Sequence, residues 1–274
     1  MSRDDRLDPD KIAAHLKTQR IGRTIVVHDR TSSTNDIAAE YAKSSKNDGL
    51  VVFTEEQTAG RGRTGAKWYS AYGDSLLGSV VLTGCKLENE LLSLTCAVAV
   101  AEALGQIGGR PARIKWPNDI MLAGRKIGGI LVESKQGKAT NVHIIGIGIN
   151  CHQRREAFPP ELQDSATSID LAGGARCDRT ILAKRVLTSL DHWLATAQAN
   201  RKRVIDAWDR LSTQRGQRIT LAYDGRKFSG NCIGVDPEKG LVLQLDRGGV
   251  RMFDAAHTSV VKSNPAAGPR SAPL

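Results

Sequence analysis

The chain has 274 residues, 40% hydrophobic and 25% charged, with a formal net charge of +10. That length suits one large domain plus a small one, and no apolar run approaches the roughly 20 residues of a membrane span. The charged N-terminus, M-S-R-D-D-R-L-D-P-D, lacks the apolar stretch of a signal peptide, so a cytoplasmic protein is expected.

The five cysteines are odd in number and widely spaced, without C-x-x-C, and the histidines show no H-E-x-x-H. This argues against a disulfide framework and against a zinc site. Positive charge favours an anionic partner (nucleotide, nucleic acid or acidic protein) without choosing among them.

In chain order, residues 1 to about 20 read as a short entry helix. Asp8 is its N-cap, Pro9 its first helical residue, and Ile12, Ala13 and Leu16 its apolar face. Twenty residues are too few for a helix-turn-helix domain. Thr24–His28 reads as a strand, followed by T-S-S-T-N-D and a helix I-A-A-E-Y-A-K. Ser33, Thr34 and Asn35 either cap that helix or meet a polar ligand at its start. Leu50–Thr54 is a second strand, which places Gln57 at the lip of the next segment.

Thr58 to Trp68 reads T-A-G-R-G-R-T-G-A-K-W, with no apolar periodicity, and is therefore a loop. Gly60, Gly62 and Gly65 let backbone N–H groups approach an anion, Arg61 and Arg63 add planar donors, and Trp68 offers a face for a ring. The set suits a nucleotide; a basic surface loop is the plain alternative. Neither the dinucleotide fingerprint nor the Walker A pattern is present.

Ser75–Leu82 is a buried strand, and Asn89 to about Gln106 is a long helix whose alanines allow close packing. In R-I-K-W-P-N-D-I-M-L-A-G-R-K-I-G-G-I-L-V-E (Arg113–Glu133), Pro117 demands an extended Trp116, and Asn118-Asp119 favour a turn. Ala123-Gly124 then form a hairpin tip. Lys126 follows it on a strand weakened by Gly128 and Gly129, glycines that make sense where something approaches the backbone. Asn141–Asn150 is another core strand, ending in an Asn that either meets an adenine edge or terminates the strand. Residues 152–177 read as a long loop. Asp178 caps a helix to about Ala199, and a further helix covers Val204–Leu211. From Gly216, short alternating strands with turns at Asp224-Gly225, Pro237–Gly240 and Arg247–Gly249 read as a small β-barrel. The Pro/Ala/Gly-rich tail 264–274 reads as disordered.

Taken together, S-T-N (Ser33–Asn35), Q-T-A-G-R-G-R-x-G-x-x-W (Gln57–Trp68), K-W-P-N-D (Lys115–Asp119), R-K-I-G-G-I-L-V-E (Arg125–Glu133) and G-I-G-I-N (Gly146–Asn150) resemble, in order, the biotin–protein ligases, specifically the form without an N-terminal DNA-binding domain. The resemblance implies an α+β fold. A mixed or antiparallel central sheet flanked by helices, like a class II aminoacyl-tRNA synthetase catalytic domain, would span residues 1–213, with an SH3-like barrel over 214–263.

It implies activation of biotin by ATP, with Mg²⁺, to biotinyl-5′-AMP, and transfer to a lysine of a biotin carboxyl carrier domain. Lys126 and Arg63 would be catalytic. Ser33, Thr34, Asn35, Gln57, Gly60, Arg61, Arg63, Lys126, Gly129 and Gly146 would bind biotin. Arg61, Arg63, Trp68, Lys115, Asn118, Lys126 and Asn150 would bind ATP or the adenylate, and Asp119 the metal.

A homodimer through the central sheet and no specific DNA binding are also expected. Ala66 departs from the family pattern, which often has a second arginine after the third loop glycine; Lys67 is the nearest substitute charge. Two rival readings are a lipoate–protein ligase, against which the G-R-G-R loop and K-W-P-N-D count, and a basic nucleic-acid-binding regulator.

Overall fold

The computed structural model describes residues 5–107, 109–135, 141–173 and 176–261. The chain enters through α1 (Pro9–Ala13), where the Asp8 carboxylate accepts from the backbone N–H groups of Asp10 and Lys11. This helix is shorter than its sequence pattern predicts. His15 sits at φ 58°, a left-handed conformation that breaks the helical run, and Ile12 alone of the apolar stripe is fully buried.

Strand β1 (Ile25–Thr31) leads into α2 (Thr34–Tyr41), and β2 (Val51–Gln57) returns parallel to β1. β2 outlasts its apolar run by three residues, because Glu55, Glu56 and Gln57 keep strand geometry at the sheet's end. Next come β3 (Ser75–Thr83) and α3 (Asn89–Leu104). A small ribbon of β4 (Gln106–Ile107) and β5 (Arg110–Pro111) precedes β6 (Arg113–Lys115), β7 (Asp119–Leu122), β8 (Arg125–Lys135) and β9 (Val142–Asn150).

The main sheet has seven strands in the order β1-β2-β3-β9-β8-β7-β6. β1 and β2 are parallel and the other neighbours antiparallel, so the sheet is mixed. The hairpin tip stands where the sequence puts it. Ala123 and Gly124 have φ of 50° and 79°, the two positive values that a tight two-residue hairpin requires.

Strand periodicity of two divides the sheet's faces. One face (Leu76, Val80 and Leu82 of β3; Ile145, Ile147 and Ile149 of β9) packs into the main core with α3 and α5 (Arg179–Ala199). α3 is apolar around nearly its whole circumference because it lies inside this layer. The other face carries a smaller core, Val52, Val81 and Ile144 under Ala38 of α2 and its C-cap Ala42. The remainder of that face is left for the cavity. Within the expected long loop 152–177, residues Ile169–Gly173 form a short helix, α4, with Ile169 buried. Asp178 caps α5 by accepting from the Ile181 N–H, and α6 (Arg201–Leu211) follows directly.

Beyond α6, β10 (Arg218–Tyr223), β11 (Arg226–Asp236), β12 (Gly240–Leu245), β13 (Val250–Phe253) and β14 (Thr258–Val260) form an antiparallel sheet in the order β13-β12-β11-β10-β14. Among the described residues β13 and β14 do not pair, so hydrogen bonding does not close this sheet into a barrel. Its Leu221, Leu241, Leu243 and Phe253 join the main core without a break. The tail at 264–274 lies outside the described residues. The chain is thus α+β, a mixed central sheet flanked by helices.

Candidate active site

One cavity opens on the α2 side of the sheet. Its floor follows from register. Leu77 pairs with Gly148 and Ser79 with Gly146 across β3 and β9, while Gly148 pairs with Gly129 and Gly146 with Leu131 across β9 and β8. Alternation places all of these on one face. The glycines leave room that other side chains enter. A Cβ on Gly146 would lie 2.4 Å from Asn35 Oδ1, and one on Gly148 would lie 2.7 Å from Trp68 Cζ2.

At one end stands a polar cluster of mostly uncharged side chains. Gln57 Oε1 accepts from the Thr34 backbone N–H at 2.8 Å and from its hydroxyl at 3.1 Å, so β2 supplies a cap for the start of α2. Ser33 occupies the N-cap position, yet its hydroxyl makes no capping hydrogen bond among the described residues. Asn35 Nδ2 donates to Glu133 at 2.6 Å, and the Ser79 hydroxyl lies 2.6 Å from Asn35 Oδ1 and 2.7 Å from Thr34 Oγ1. Ser33, Thr34 and Asn35 are all buried. The sequence leaves capping and ligand contact open for these three; the structure gives the capping to Gln57.

At the other end the charges gather. Lys126 Nζ lies 2.5 Å from Asp119 Oδ1 and 5.9 Å from the Trp68 ring centroid. Lys126 reaches the cavity through a bulge. Ile120 pairs with Gly128 but Met121 with Lys126, so Ile127 is an extra residue and turns fully into the core. Without it, Lys126 would share the face of Gly128. Beyond the end of β9 the Lys126 backbone is held by the 152–177 segment, its N–H donating to Ser165 O and its carbonyl accepting from Thr167 N, both at 2.8 Å.

The glycine loop folds as a hairpin over this end. Arg61 pairs with Lys67, Gly62 N donates to Ala66 O at 2.6 Å, and Trp68 N to Gly60 O at 3.0 Å. Arg61 forks onto the Asp36 carboxylate with bonds of 2.9 and 2.5 Å, which holds that carboxyl below its usual range. Arg63 donates to the carbonyl of Ala255 in the turn between β13 and β14. Burial pulls its guanidinium below the usual pKa, against the opposing fields of Glu90, Asp119 and Asp254.

Of the residues the sequence nominates, Ser33, Thr34, Asn35, Gln57, Arg61, Arg63, Trp68, Asn118, Asp119, Lys126, Gly129 and Gly146 line this cavity. Three others stand off it. Gly60 sits behind the wall, where a Cβ would lie 2.9 Å from Gln57 Nε2. Lys115 lies on β6 opposite Asp119 in register. Asn150 is buried, its amide donating to Thr167 O at 3.0 Å and accepting from Gln153 at 3.3 Å.

Lining residues that the sequence reading does not nominate include Leu77, Leu131, Lys67 and Gly148. Gly148 is findable, since it is two residues from Gly146 and shares its face. The arrangement suits a ligand with a neutral hydrogen-bonding head, an apolar body and an anionic tail beside a flat ring.

Asp119 is the one carboxylate in the cavity lining, and among the described residues no cluster of three or more His, Cys, Asp or Glu gathers to hold a metal. One carboxylate together with substrate phosphates is a donor set that Mg²⁺ accepts.

Comparison with known proteins agrees with this geometry. The family model for the biotin/lipoate A/B protein ligase family matches residues 27–150. The chain is 41% identical over 223 residues to a biotin–[acetyl-CoA-carboxylase] ligase of Paracoccus denitrificans, covering 78% of this chain and 92% of that one. It is 32% identical over 255 residues to the bifunctional ligase/repressor BirA of Bacillus subtilis, covering 91% and 78%. Among solved structures, the biotin protein ligase from Aquifex aeolicus in complex with biotin and ATP superposes with a TM-score of 0.75 at 27% identity, covering 88% of this chain and all of that one. The chain belongs to the biotin/lipoate A/B protein ligase family and, within it, to the biotin–protein ligases.

Proposed function

We propose that this chain binds biotin and ATP in the cavity above the β3–β9–β8 floor, joins them as biotinyl-5′-AMP, and passes the biotinyl group to a carrier lysine. It is a biotin–[biotin carboxyl carrier protein/acetyl-CoA-carboxylase] ligase. The observation that carries this reading is the single cavity that unites the Thr34–Asn35–Gln57 cluster with Lys126, Arg61 and Arg63.

A biotin carboxylate oxygen attacks the α-phosphorus of ATP and pyrophosphate leaves. The carrier amine then attacks the acyl carbon and AMP leaves. Two unit charges about 4 Å apart repel by about 4 kcal/mol at an effective dielectric near 20, so the carboxylate and triphosphate need cations between them. Lys126 serves there, with Arg61 and Arg63 closing over the adenylate from the loop. Ser33, Thr34, Asn35 and Gln57 take the ureido end, with Gly60 behind Gln57; Gly129 admits the fused rings, and Gly146 gives Asn35 its seat beside them. Trp68 takes the nucleotide ring and Asn118 the triphosphate side; Lys115 and Asn150, which stand off the lining, support the triphosphate and adenine sides from behind it. Mg²⁺ would be held through Asp119 and would offset phosphate charge. Closing the loop excludes water from a hydrolysable anhydride.

The same proposal reads residues 1–213 as the synthetase-like catalytic unit and 214–263 as an SH3-like barrel. The support for the barrel is five short antiparallel strands, with β11 bulged between Cys232 and Gly234. A homodimer through the central sheet and a cytoplasmic location complete it; among the described residues no helix is long and apolar enough to cross a membrane.

The experiment mixes the protein with ATP, Mg²⁺, biotin and a carrier domain, and probes the carrier for label. Biotinylation is expected. Labelling by lipoate in place of biotin would reject the substrate assignment, and an operator gel shift reports any repressor activity.

A further inference from the structure

Trp68 rests on glycines. A Cβ on Gly148 would lie 2.7, 2.8 and 3.1 Å from Trp68 Cζ2, Cε2 and Cη2; one on Gly129 would lie 3.4 Å from Cζ3, and one on Gly60 3.2 Å from Trp68 Cβ. The first two Gly148 distances are shorter than carbon atoms tolerate, whereas the Gly129 distance is ordinary contact.

Nothing in the backbone asks for glycine at 148. The residue lies inside β9, paired with Leu77 on one side and Gly129 on the other, and is not among the residues at positive φ. A glycine inside a strand weakens it, so its presence points to a close neighbour, and here that neighbour is the indole. Two residues away, Gly146 makes the same allowance for Asn35. One strand thus carries two separate seats, one for each end of the cavity.

We propose that Gly148 is a positioning residue for nucleotide binding. By letting the Trp68 indole lie flat on the sheet, it sets the height of the face on which the ATP ring stacks and leaves the biotin end untouched. The proposal rests on the assignment of Trp68 to the nucleotide ring. The indole Nε1 is buried and has no hydrogen-bond partner among the described residues, as expected of a ring held in place by its shape and not by a polar anchor.

The test uses the full chain and biotin-dependent exchange of pyrophosphate into ATP, with Gly148→Ala, Trp68→Ala and the double variant. Gly148→Ala should raise the KM for ATP about tenfold or more, the scale of one lost base–aromatic stack, and change the KM for biotin by less than about twofold. In the Trp68→Ala background, where the added methyl meets no ring, Gly148→Ala should add nothing to the ATP KM, a non-additivity that a general loss of stability does not give. The double variant also supplies the relieved protein if Gly148→Ala alone folds poorly. An equal rise in both KM values, or the same factor in both backgrounds, overturns the proposal alone. An unchanged ATP KM in Trp68→Ala, with exchange still running, overturns the Trp68 assignment and the proposal with it.

Discussion

Lys126 and Asp119 face each other across the β7–β8 hairpin with 2.5 Å between amine and carboxylate, and the bulge at Ile127 turns that amine into the cavity. The pair holds the amine 5.9 Å from the Trp68 ring centroid, where the proposed substrate anion would compete for it. Lys126→Ala should therefore lower biotin-dependent pyrophosphate exchange by about 10²–10³-fold, the range for removing one preorganised transition-state donor. Steady-state exchange rates, with circular dichroism to show a retained fold, check this.

The polar end makes a different prediction. The Thr34 hydroxyl lies within hydrogen-bond distance of both Gln57 Oε1 and Ser79 Oγ. Thr34→Val keeps the shape and removes the hydroxyl, leaving these partners short of one contact. The biotin KM should rise about tenfold while the ATP KM holds, since about 1–3 kcal/mol is the cost of a buried polar group left unpaired. Titrating each substrate at saturation of the other separates the two constants.

Away from the cavity, Arg179 donates to Glu55 at 2.7 Å, with both side chains almost wholly buried, at 2% and 1% exposure. Removing the cation strands a buried carboxylate. Arg179→Met should destabilise the protein by about 3–5 kcal/mol, read from chemical denaturation. Replacing Glu55 as well, by leucine, should recover part of that loss.

The same arginine sets an acid limit. Burial pushes the Asp5 carboxyl up, but its hydrogen bonds and charge interactions with Arg179 and His152 outweigh this and leave it lowered. A carboxyl depressed on folding adds stability that is fully present above its unfolded pKa, about 3.9, and is lost as pH falls through the lower folded value. The thermal midpoint of the native protein should fall below about pH 4. Asp5→Asn should start from a lower midpoint at neutral pH and lose less on acidification, which scanning calorimetry across the pH range resolves.

Much of the site is legible in the sequence because its motifs are local. The hairpin tip at Ala123-Gly124, the cap at Asp178 and the Gln57–Trp68 loop each depend on neighbours in the chain. What escapes the sequence depends on pairing between distant segments. The Ile127 bulge, which decides where Lys126 points, exists only in the register of β7 against β8. Ser165 and Thr167, which hold the Lys126 backbone, sit in a stretch that reads as plain loop. Asn150 reads as an adenine contact or a strand end, and the family resemblance assigns it to the adenylate; its amide is engaged by Thr167 and Gln153. That β13 and β14 do not pair among the described residues has no signature in strand alternation, which is the same for open and closed sheets.

The most direct measurement of the central claim is exchange of labelled pyrophosphate into ATP by the purified chain, with and without biotin, beside Lys126→Ala. Exchange that requires biotin and collapses in the variant is the expected result. Exchange that proceeds without biotin, or survives loss of the Lys126 amine at near-native rate, would contradict the account.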